Sequence, residues 1–281
     1  MNTQSKTTPN QELIQAARTG LIPNHDSGWL GGFSNLFNKE LGEWFGTHRW
    51  LPQSLIWLMI INGLMAFILF IVPLMDPSSV LPPQEAMLEA VAIYFGFVSV
   101  FGVIGMIIIA QDEIIREKQS GTAAWVLSKP VSRSAFILTK LLSNLIGALV
   151  IIVGLTAIVA YGEIYLVTGT ALPVLPFVSS LGVLMIGLVF FLSLTIMLGT
   201  LFEQRGPVLG IAAGVYLGSM IFSYFLPQIG YILPVNIQDI ATAVALRQPL
   251  PVMAISQLIS ALILSLVFTS VALLRFRREE F

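Results

Sequence analysis

Leu175–Leu201 reads LPFVSSLGVLMIGLVFFLSLTIMLGTL, 27 residues without an Asp, Glu, Lys, Arg or His. A hydrocarbon core about 30 Å thick takes roughly 20 helical residues to cross. Lipid offers the backbone no hydrogen-bond partners, so such a run has to satisfy its own amides and carbonyls. A helix does that within one segment. Period-two alternation is missing, which argues against a membrane barrel. The stretch is therefore read as a transmembrane helix. Five further charge-free windows resemble it: Leu55–Met75, Ala90–Ala110, Leu141–Tyr161, Val208–Leu226 and Val252–Leu274. The expected fold class is an all-α membrane protein with six spans.

Composition agrees. The chain has 281 residues, 56% apolar and 10% charged, with a mean hydropathy of +0.87. Soluble domains are nearer 45–50% apolar and about 25% charged, so a soluble enzyme is disfavoured. All 29 formal charges fall in the 149 residues outside the six windows. Cysteine is absent, which removes disulfides, thiolate metal sites and a thiol nucleophile. Residues 1–28 contain Pro9 and Pro23 and no apolar run, unlike a secretory signal peptide. They read as a disordered polar tail ahead of a single transmembrane domain over 29–281.

Positive charge sets the orientation. Alternating the connections puts 13 of the 14 Lys and Arg residues on one side and leaves Arg247 alone on the other. The richest internal stretch carries Arg116, Lys118, Lys129, Arg133 and Lys140. Both termini are expected in the cytoplasm and the protein in the cell membrane. The net charge of −1 then resolves into +3 on the cytoplasmic side and −4 outside.

Residues 29–50 space Phe33, Leu36, Phe37, Leu41, Trp44 and Phe45 by threes and fours. Ser34, Asn35, Asn38, Lys39, Glu40 and Glu43 fill the other face. This pattern predicts an amphipathic helix lying in the membrane interface. Gly162–Val174 is expected as an outer loop with Glu163 its only charge. Asn236–Leu246 is expected as a short outer helix capped by Asn236, lying on the surface or dipping back. Gln257 and Ser260 are placed near water at the outer end of the last span.

Catalytic motifs are missing. There is no phosphate-binding Gly-x-x-x-x-Gly-Lys-Ser/Thr loop, no His-Glu-x-x-His and no Gly-x-Ser-x-Gly. His25 and His48 both precede the first span, so two histidines do not meet around a haem inside the bilayer. No catalytic, cofactor-binding or metal-binding residue is assigned, and no nucleic-acid partner is expected. Proton- or sodium-coupled carriers usually hold ionisable groups at membrane depth. The windows offer only Asn62, Ser99, Asn144, Thr156, Ser193, Thr195, Ser219 and Ser265, residues that commonly bond helix to helix. Energy for transport is then expected from the cytoplasmic surface.

Gln111–Lys140 is the segment that meets this surface. Asp112 and Glu113 precede Arg116 by four and three residues, spacings that allow ion pairs on a helix continuing the second span. Gly121 is a plausible stop. Thr122 is expected to cap a short helix, Ala123–Leu127, which Pro130 ends. Ser132 or Ser134 starts the next helix. Trp125 is costly to leave in water and suits a docking anchor; an ordinary solvated loop is the competing reading.

Glu117-x-x-x-Gly121-Thr122, Leu127-Ser-Lys-Pro130-Val-Ser-Arg133 and Lys140-Leu-Leu together resemble the signature of type-2 ATP-binding-cassette (ABC) permeases. The interfacial helix, six spans, an outer segment before the last span and Phe276, Arg277 and Arg278 in the tail extend the likeness over about residues 30–281. The resemblance implies a permease dimer, homomeric or heteromeric, docked on ATP-hydrolysing subunits that bind ATP and Mg. It implies a coupling helix between spans two and three. Glu117, Gly121, Thr122, Pro130 and Arg133 fall at its matching positions; Glu113, Arg116 and Trp125 join them from the reading of the helix itself. ATP closure of the partner would move these helices and switch the bundle between inward and outward openings. An exporter is the expected function. An ATP-independent carrier and a non-transporting regulatory or assembly subunit are the alternatives, and a lipid-modifying enzyme lacks any motif.

Gly206, Gly210, Gly214 and Gly218 recur every four residues on the fifth span. One face of small residues lets another backbone approach. A dimer contact, a moving contact and static packing within one bundle all fit that spacing.

Overall fold

The structure is a computed structural model that describes residues 28–279 apart from Arg49, Pro227, Ile229 and Gly230. The tail assigned to residues 1–28 thus lies, but for Gly28, outside the described residues. Among the described residues there is helix and no strand. Helix α1 is Phe33–Phe45. Six helices among the described residues are long and apolar enough to cross a membrane: α2 Trp50–Met75, α3 Pro83–Gln119, α5 Arg133–Thr168, α6 Val174–Leu201, α7 Arg205–Phe225 and α9 Ala254–Arg277. Two short helices complete the set, α4 Thr122–Leu127 and α8 Ile237–Ala245. The spans fall on the charge-free windows. The end of the bundle bearing α1, α4 and the end of α9 is called the basic end below.

The helix ends follow local chemistry. Asp76 Oδ1 accepts from the Ser78 amide at 3.0 Å and the Ser78 hydroxyl at 2.6 Å, closing the turn after α2. Gly169, at φ 67°, ends α5 in the left-handed conformation that glycine adopts without steric cost. This stop comes later than expected. The helix runs through Glu163 to Thr168, so the outer loop shrinks to 169–173 and a carboxyl sits on the third span. The spans are not free of ionisable groups after all. Residue hydropathy alone cut the window at Glu163, whereas helix geometry continues to the first glycine that can reverse the chain.

Helix α6 is the axis of the bundle. Of its most apolar window 61% is buried, against 22% for α2, α7 and α9. Aromatic edges radiate from it: Phe190 meets Phe268 of α9 at 5.5 Å, and Phe191 meets Tyr216 of α7 at 5.3 Å. Lipid tails are as apolar as leucine, so close packing rather than escape from water holds such helices together. Missing side chains make room for large ones. A Cβ on Gly105 would collide with the Trp57 ring, and one on Gly187 would sit 3.0 Å from Ile237 Cδ1. That second contact settles the outer segment: α8 dips back and packs on α6. Its Gln238 accepts from Ser99 of α3 at 3.3 Å. Asn236 precedes α8 but makes no side-chain cap; Ile237, Ile240 and Ala241 seat the helix by burial instead. Gln257 is also buried rather than water-facing, and Ser260 donates to the Ile232 carbonyl.

Helices α2, α3 and α5 each contain wide π-type turns. Gly154 closes the one in α5, where a Cβ would lie 2.8 Å from the Leu149 carbonyl oxygen. Most polar groups at depth satisfy themselves within their own helix. Ser193, Thr195, Ser219 and Ser265 all donate to carbonyls three or four residues back. Asn62 is different: its Nδ2 crosses from α2 to the Thr156 carbonyl of α5 at 3.0 Å.

Candidate functional site

At the basic end, α3 bends at Gln111–Asp112 and continues as Glu113–Gln119. Gly121, at φ 72°, stops it, and α4 begins at once. Nothing lies within 4 Å of a Cβ at Gly121, so the backbone conformation alone demands glycine there. Thr122 is not the cap. It is the first helical residue, with its hydroxyl 2.8 Å from that of Ser120; the left-handed Gly121 occupies the capping position. After α4, Ser132 caps α5 by accepting from the Ala135 amide at 3.0 Å.

Trp125 projects from α4 with 61% of its surface exposed. Lys129 Nζ stands 3.5 Å from the centre of its ring, a cation–π contact that orients the indole.

Helix α1 is fitted against the segment that follows α4. The Ser132 amide donates to the Gly31 carbonyl at 2.8 Å, and its hydroxyl to the Trp29 carbonyl at 2.7 Å. A Cβ on Gly32 would lie 2.8 Å from Val131 Cγ2 and 3.1 Å from the Pro130 carbonyl. Gly32 also has φ 73°. Pro130, a residue picked out by the motif, is thus part of the seat for α1.

Beneath this seat is a buried charge cluster. Lys140 Nζ of α5 lies 2.9 Å from Glu117 Oε1 of α3 and 3.2 Å from Glu40 Oε2 of α1. All three are buried. Lys39 joins from the rim, 3.2 Å from Glu40 Oε1 and 3.6 Å from Glu43 Oε1. Partial burial lowers the Lys39 pKa, but the carboxylates of Glu40, Glu117 and Glu43 more than offset it, so its charge is held more firmly than usual. One turn above Lys140, Asn144 donates to Glu113 Oε2 at 2.7 Å and accepts from Trp44 Nε1 at 3.1 Å. Trp44 in turn covers Gly147, where a Cβ would collide with the indole. The polar face of α1 therefore turns inward at Glu40, and the helix is bolted to α3 and α5.

Glu113 and Arg116 do not pair. Glu113 faces Asn144, Arg116 is exposed, and neither Asp112 nor Glu113 makes an ion pair with it. The bend at Gln111–Asp112 turns this last part of α3 so that its carboxylates meet the bundle. A cavity of about 170 Å³ opens beside them, lined by Glu43, Trp44, Gln53, Asp112, Glu113 and Arg116 among others. No group of three or more His, Asp or Glu among the described residues is arranged to hold a metal ion.

The end of α9 closes the other flank. Arg133 Nη1 donates to the Arg277 and Glu279 carbonyls, each at 2.6 Å. Arg277 is the last residue of α9 and Glu279 lies just past it, so the cation meets the unpaired carbonyl and the negative end of the dipole at the helix C-terminus. Phe136 stacks on Phe276 at 4.9 Å, and Lys118 reaches Glu279 at 2.7 Å. Gln119 Nε2 donates to the Glu203 carbonyl, between α6 and α7, at 2.8 Å. The segments on either side of α4 are thereby tied to the end of α9 and to the turn between α6 and α7.

The sequence matches the family described as ABC-2 family transporter protein over residues 5–281. The chain belongs to that family. No curated protein matches it. An ABC-2 chain is a membrane transport subunit and not itself a catalyst. In this ABC-2 chain the motif residues divide into two sets. Glu113, Glu117, Pro130 and Arg133 tie the end of α3 and the start of α5 to α1 and α9. Gly121, Thr122 and Trp125 form the projecting helix. Glu40, Trp44 and Asn144 complete the site without having been singled out as part of it, and Lys140, quoted in the motif but given no role there, stands at its centre. Lys140 and Asn144 do share one face of α5 at a spacing of four; no local pattern links them to Glu40, a hundred residues earlier.

The glycine row on α7 faces away from the bundle. A Cβ on Gly206, Gly210 or Gly214 meets nothing within 4 Å, and one on Gly218 meets only Phe222 of its own helix. Val208, Ala212 and Tyr216 on the opposite side are the buried ones. Among the described residues the row packs against no other helix of this chain.

Proposed function

We propose that this ABC-2 chain is the permease subunit of an ABC exporter, driven by ATP and Mg bound on a separate ATPase subunit at the basic end, which faces the cytoplasm of a cell-membrane protein. The observation that carries this reading is the placement of α4. A short helix with an exposed tryptophan is offered outward, while the segments on both sides of it are fixed to each other and to α1 by buried charge and to α9 through Arg133. A load applied to α4 is passed to α3 and α5 through Glu117 and Lys140, to α1 through Glu40 and to α9 through Arg133. Coupling requires only that the ATP-bound and ATP-free partner favour different positions of α4.

Two copies of the permease, or one with a related chain, are needed to surround a substrate path. The open glycine row of α7 supports a contact of that kind. The test is to purify the chain from membranes under mild conditions, identify a co-purifying ATPase, and measure ATP-dependent flux in vesicles. ATPase binding without flux would favour a regulatory or assembly subunit; flux without ATP would favour a carrier.

A further inference from the structure

At the basic end, between the last turns of α3 and the start of α7, lies a cavity of about 470 Å³. Asp112 and Arg116 of α3 line it together with Arg205 and Gly206 of α7. Ile115, buried, lines it as well. Gln119 Nε2 donates to the Glu203 carbonyl at 2.8 Å, a bond that ties α3 to the turn before α7 and so fixes the two walls.

The charges on these walls are uncommitted. Among the described residues the side chains of Asp112, Arg116 and Arg205 make no hydrogen bond, ion pair or ring contact. Asp112 and Arg116 are four apart on a helix, a spacing that often pairs such residues, yet no ion pair joins them. Neighbouring charges are engaged or open elsewhere. Lys118 pairs with Glu279 at 2.7 Å, and Glu113 accepts from Asn144 at 2.7 Å. Glu43, across the shared wall with the cavity beside Trp44, meets Lys39 at 3.6 Å. Glu203 opens on the adjoining cavity. Two free cations and one free anion thus line a single space.

Its depth narrows the ligand. The charge-free window of α3 ends at Ala110 and that of α7 begins at Val208. The cavity therefore stands within a turn or two of the hydrocarbon, where lipid head groups lie. Ile108 and Ile104, one and two turns before Asp112 on α3, are 53% and 38% exposed. A soluble anion would use the charges and leave this apolar strip bare, whereas a lipid uses both. Guanidinium groups match phosphate oxygens with charge-assisted hydrogen bonds, and basic pockets between spans suit phospholipid heads. A carboxylate beside them suits an ammonium.

We propose that this cavity binds the head group of an aminophospholipid, with Arg116 and Arg205 on the phosphate, Asp112 on the ammonium and an acyl chain along Ile108 and Ile104. A phosphatidylglycerol head leaves Asp112 without a cation, and a choline head offers it no N–H. The site is built within one chain. It goes beyond the ATP-driven reading, since binding requires neither ATP nor an ATPase subunit.

The experiment uses the full chain, purified in detergent without an ATPase subunit. Native mass spectrometry follows binding as phosphatidylethanolamine, phosphatidylglycerol or phosphatidylcholine is titrated in. Wild type is expected to retain a single phosphatidylethanolamine at concentrations at which it retains neither of the others. R116Q and R205Q are each expected to weaken that binding about tenfold, the worth of one hydrogen bond to a charged group. D112N is expected to bind phosphatidylethanolamine no better than phosphatidylglycerol. Equal binding of those two lipids by wild type overturns the proposal, as does unchanged binding when R116Q and R205Q are combined. Displacement of the lipid by inorganic phosphate or glycerophosphoethanolamine at equal concentration also overturns it, because the site would then hold a free head group or anion. Should the variants fail to insert, wild type decides with a phosphatidylethanolamine carrying a photoreactive acyl chain. Label at Ile104 or Ile108 supports the site, and label confined to other segments overturns it.

Discussion

Lys140 Nζ and Glu117 Oε1 are 2.9 Å apart, with the lysine side chain 3% exposed. Glu40 lies on the lysine's other side at 3.2 Å. Removing water from three charges is expensive, and their mutual attraction repays the cost only while every member is present. Lys140→Met leaves Glu40 and Glu117 buried with only the half-exposed Lys39 at the rim to balance them. It is expected to destabilise the chain by about 3–5 kcal/mol, read as a lowered melting temperature in nanodiscs and as protease sensitivity at α1. Exchanging Lys140, Glu40 and Glu117 together for apolar residues of similar volume is expected to recover most of the loss. An equally unstable triple variant would mean that the charges do more than balance one another.

Much of this architecture is legible in residue order, and the reason is physical. The bilayer imposes a length and forbids charge, so Leu175–Leu201 or Leu141–Tyr161 announces itself without any knowledge of its neighbours. Gly121 is equally local, because a left-handed stop is a property of one residue. What cannot be read locally is partnership. Glu40 looks like one more solvated residue on the polar face of α1, and only the approach of α5 turns it inward. Glu163 misleads in the opposite direction: a charge suggests a loop, yet the helix continues past it to Gly169.

Trp125 and Lys140 are expected to behave oppositely. Trp125→Asp changes a largely exposed residue whose ring lies against Lys129, and surface changes of this kind usually stay within about 0.5 kcal/mol. Melting temperature and membrane insertion are therefore expected to match wild type. Association with the ATPase subunit and ATP-dependent flux are expected to fall together. Retention of both at wild-type levels would remove α4 as the docking element.

Gly121→Ala probes the turn that aims α4. The added Cβ meets no neighbour, so the cost is that of left-handed backbone for a side chain, roughly 1–2 kcal/mol. Gly121→Asn is expected to be better tolerated, since asparagine adopts this conformation more readily. Flux ordered as wild type, then Asn, then Ala, with similar amounts of folded protein, would tie function to the direction of α4.

Arg133→Gln tests the clamp on α9. Glutamine keeps an NH2 donor but loses the charge and the length that bring Nη1 to both carbonyls. Hydrogen exchange at residues 276–279 is expected to rise, while the amides in the middle of α9 stay protected. Protection unchanged at Glu279 would indicate that Phe276 stacking and the Lys118 pair hold the tail without Arg133.

Gly147 and Gly214 separate packing within the chain from packing between chains. At Gly147 a side chain would collide with Trp44, so Gly147→Leu is expected to expel α1 and lower the melting temperature, an overpacking cost of about 1–3 kcal/mol or more. At Gly214 the added atoms meet open space. Gly214→Leu is expected to fold normally as a single chain and to lose association with a second permease, measured by cross-linking through cysteines placed at Gly206 in both copies. The discriminating quantity is the pair of readouts in each variant. Lost cross-linking with an unchanged melting temperature places the α7 row against another chain. Unchanged cross-linking would show that the copies meet at Gly206 without Gly214 in the contact, and no cross-linking even with glycine at 214 would leave the row facing lipid.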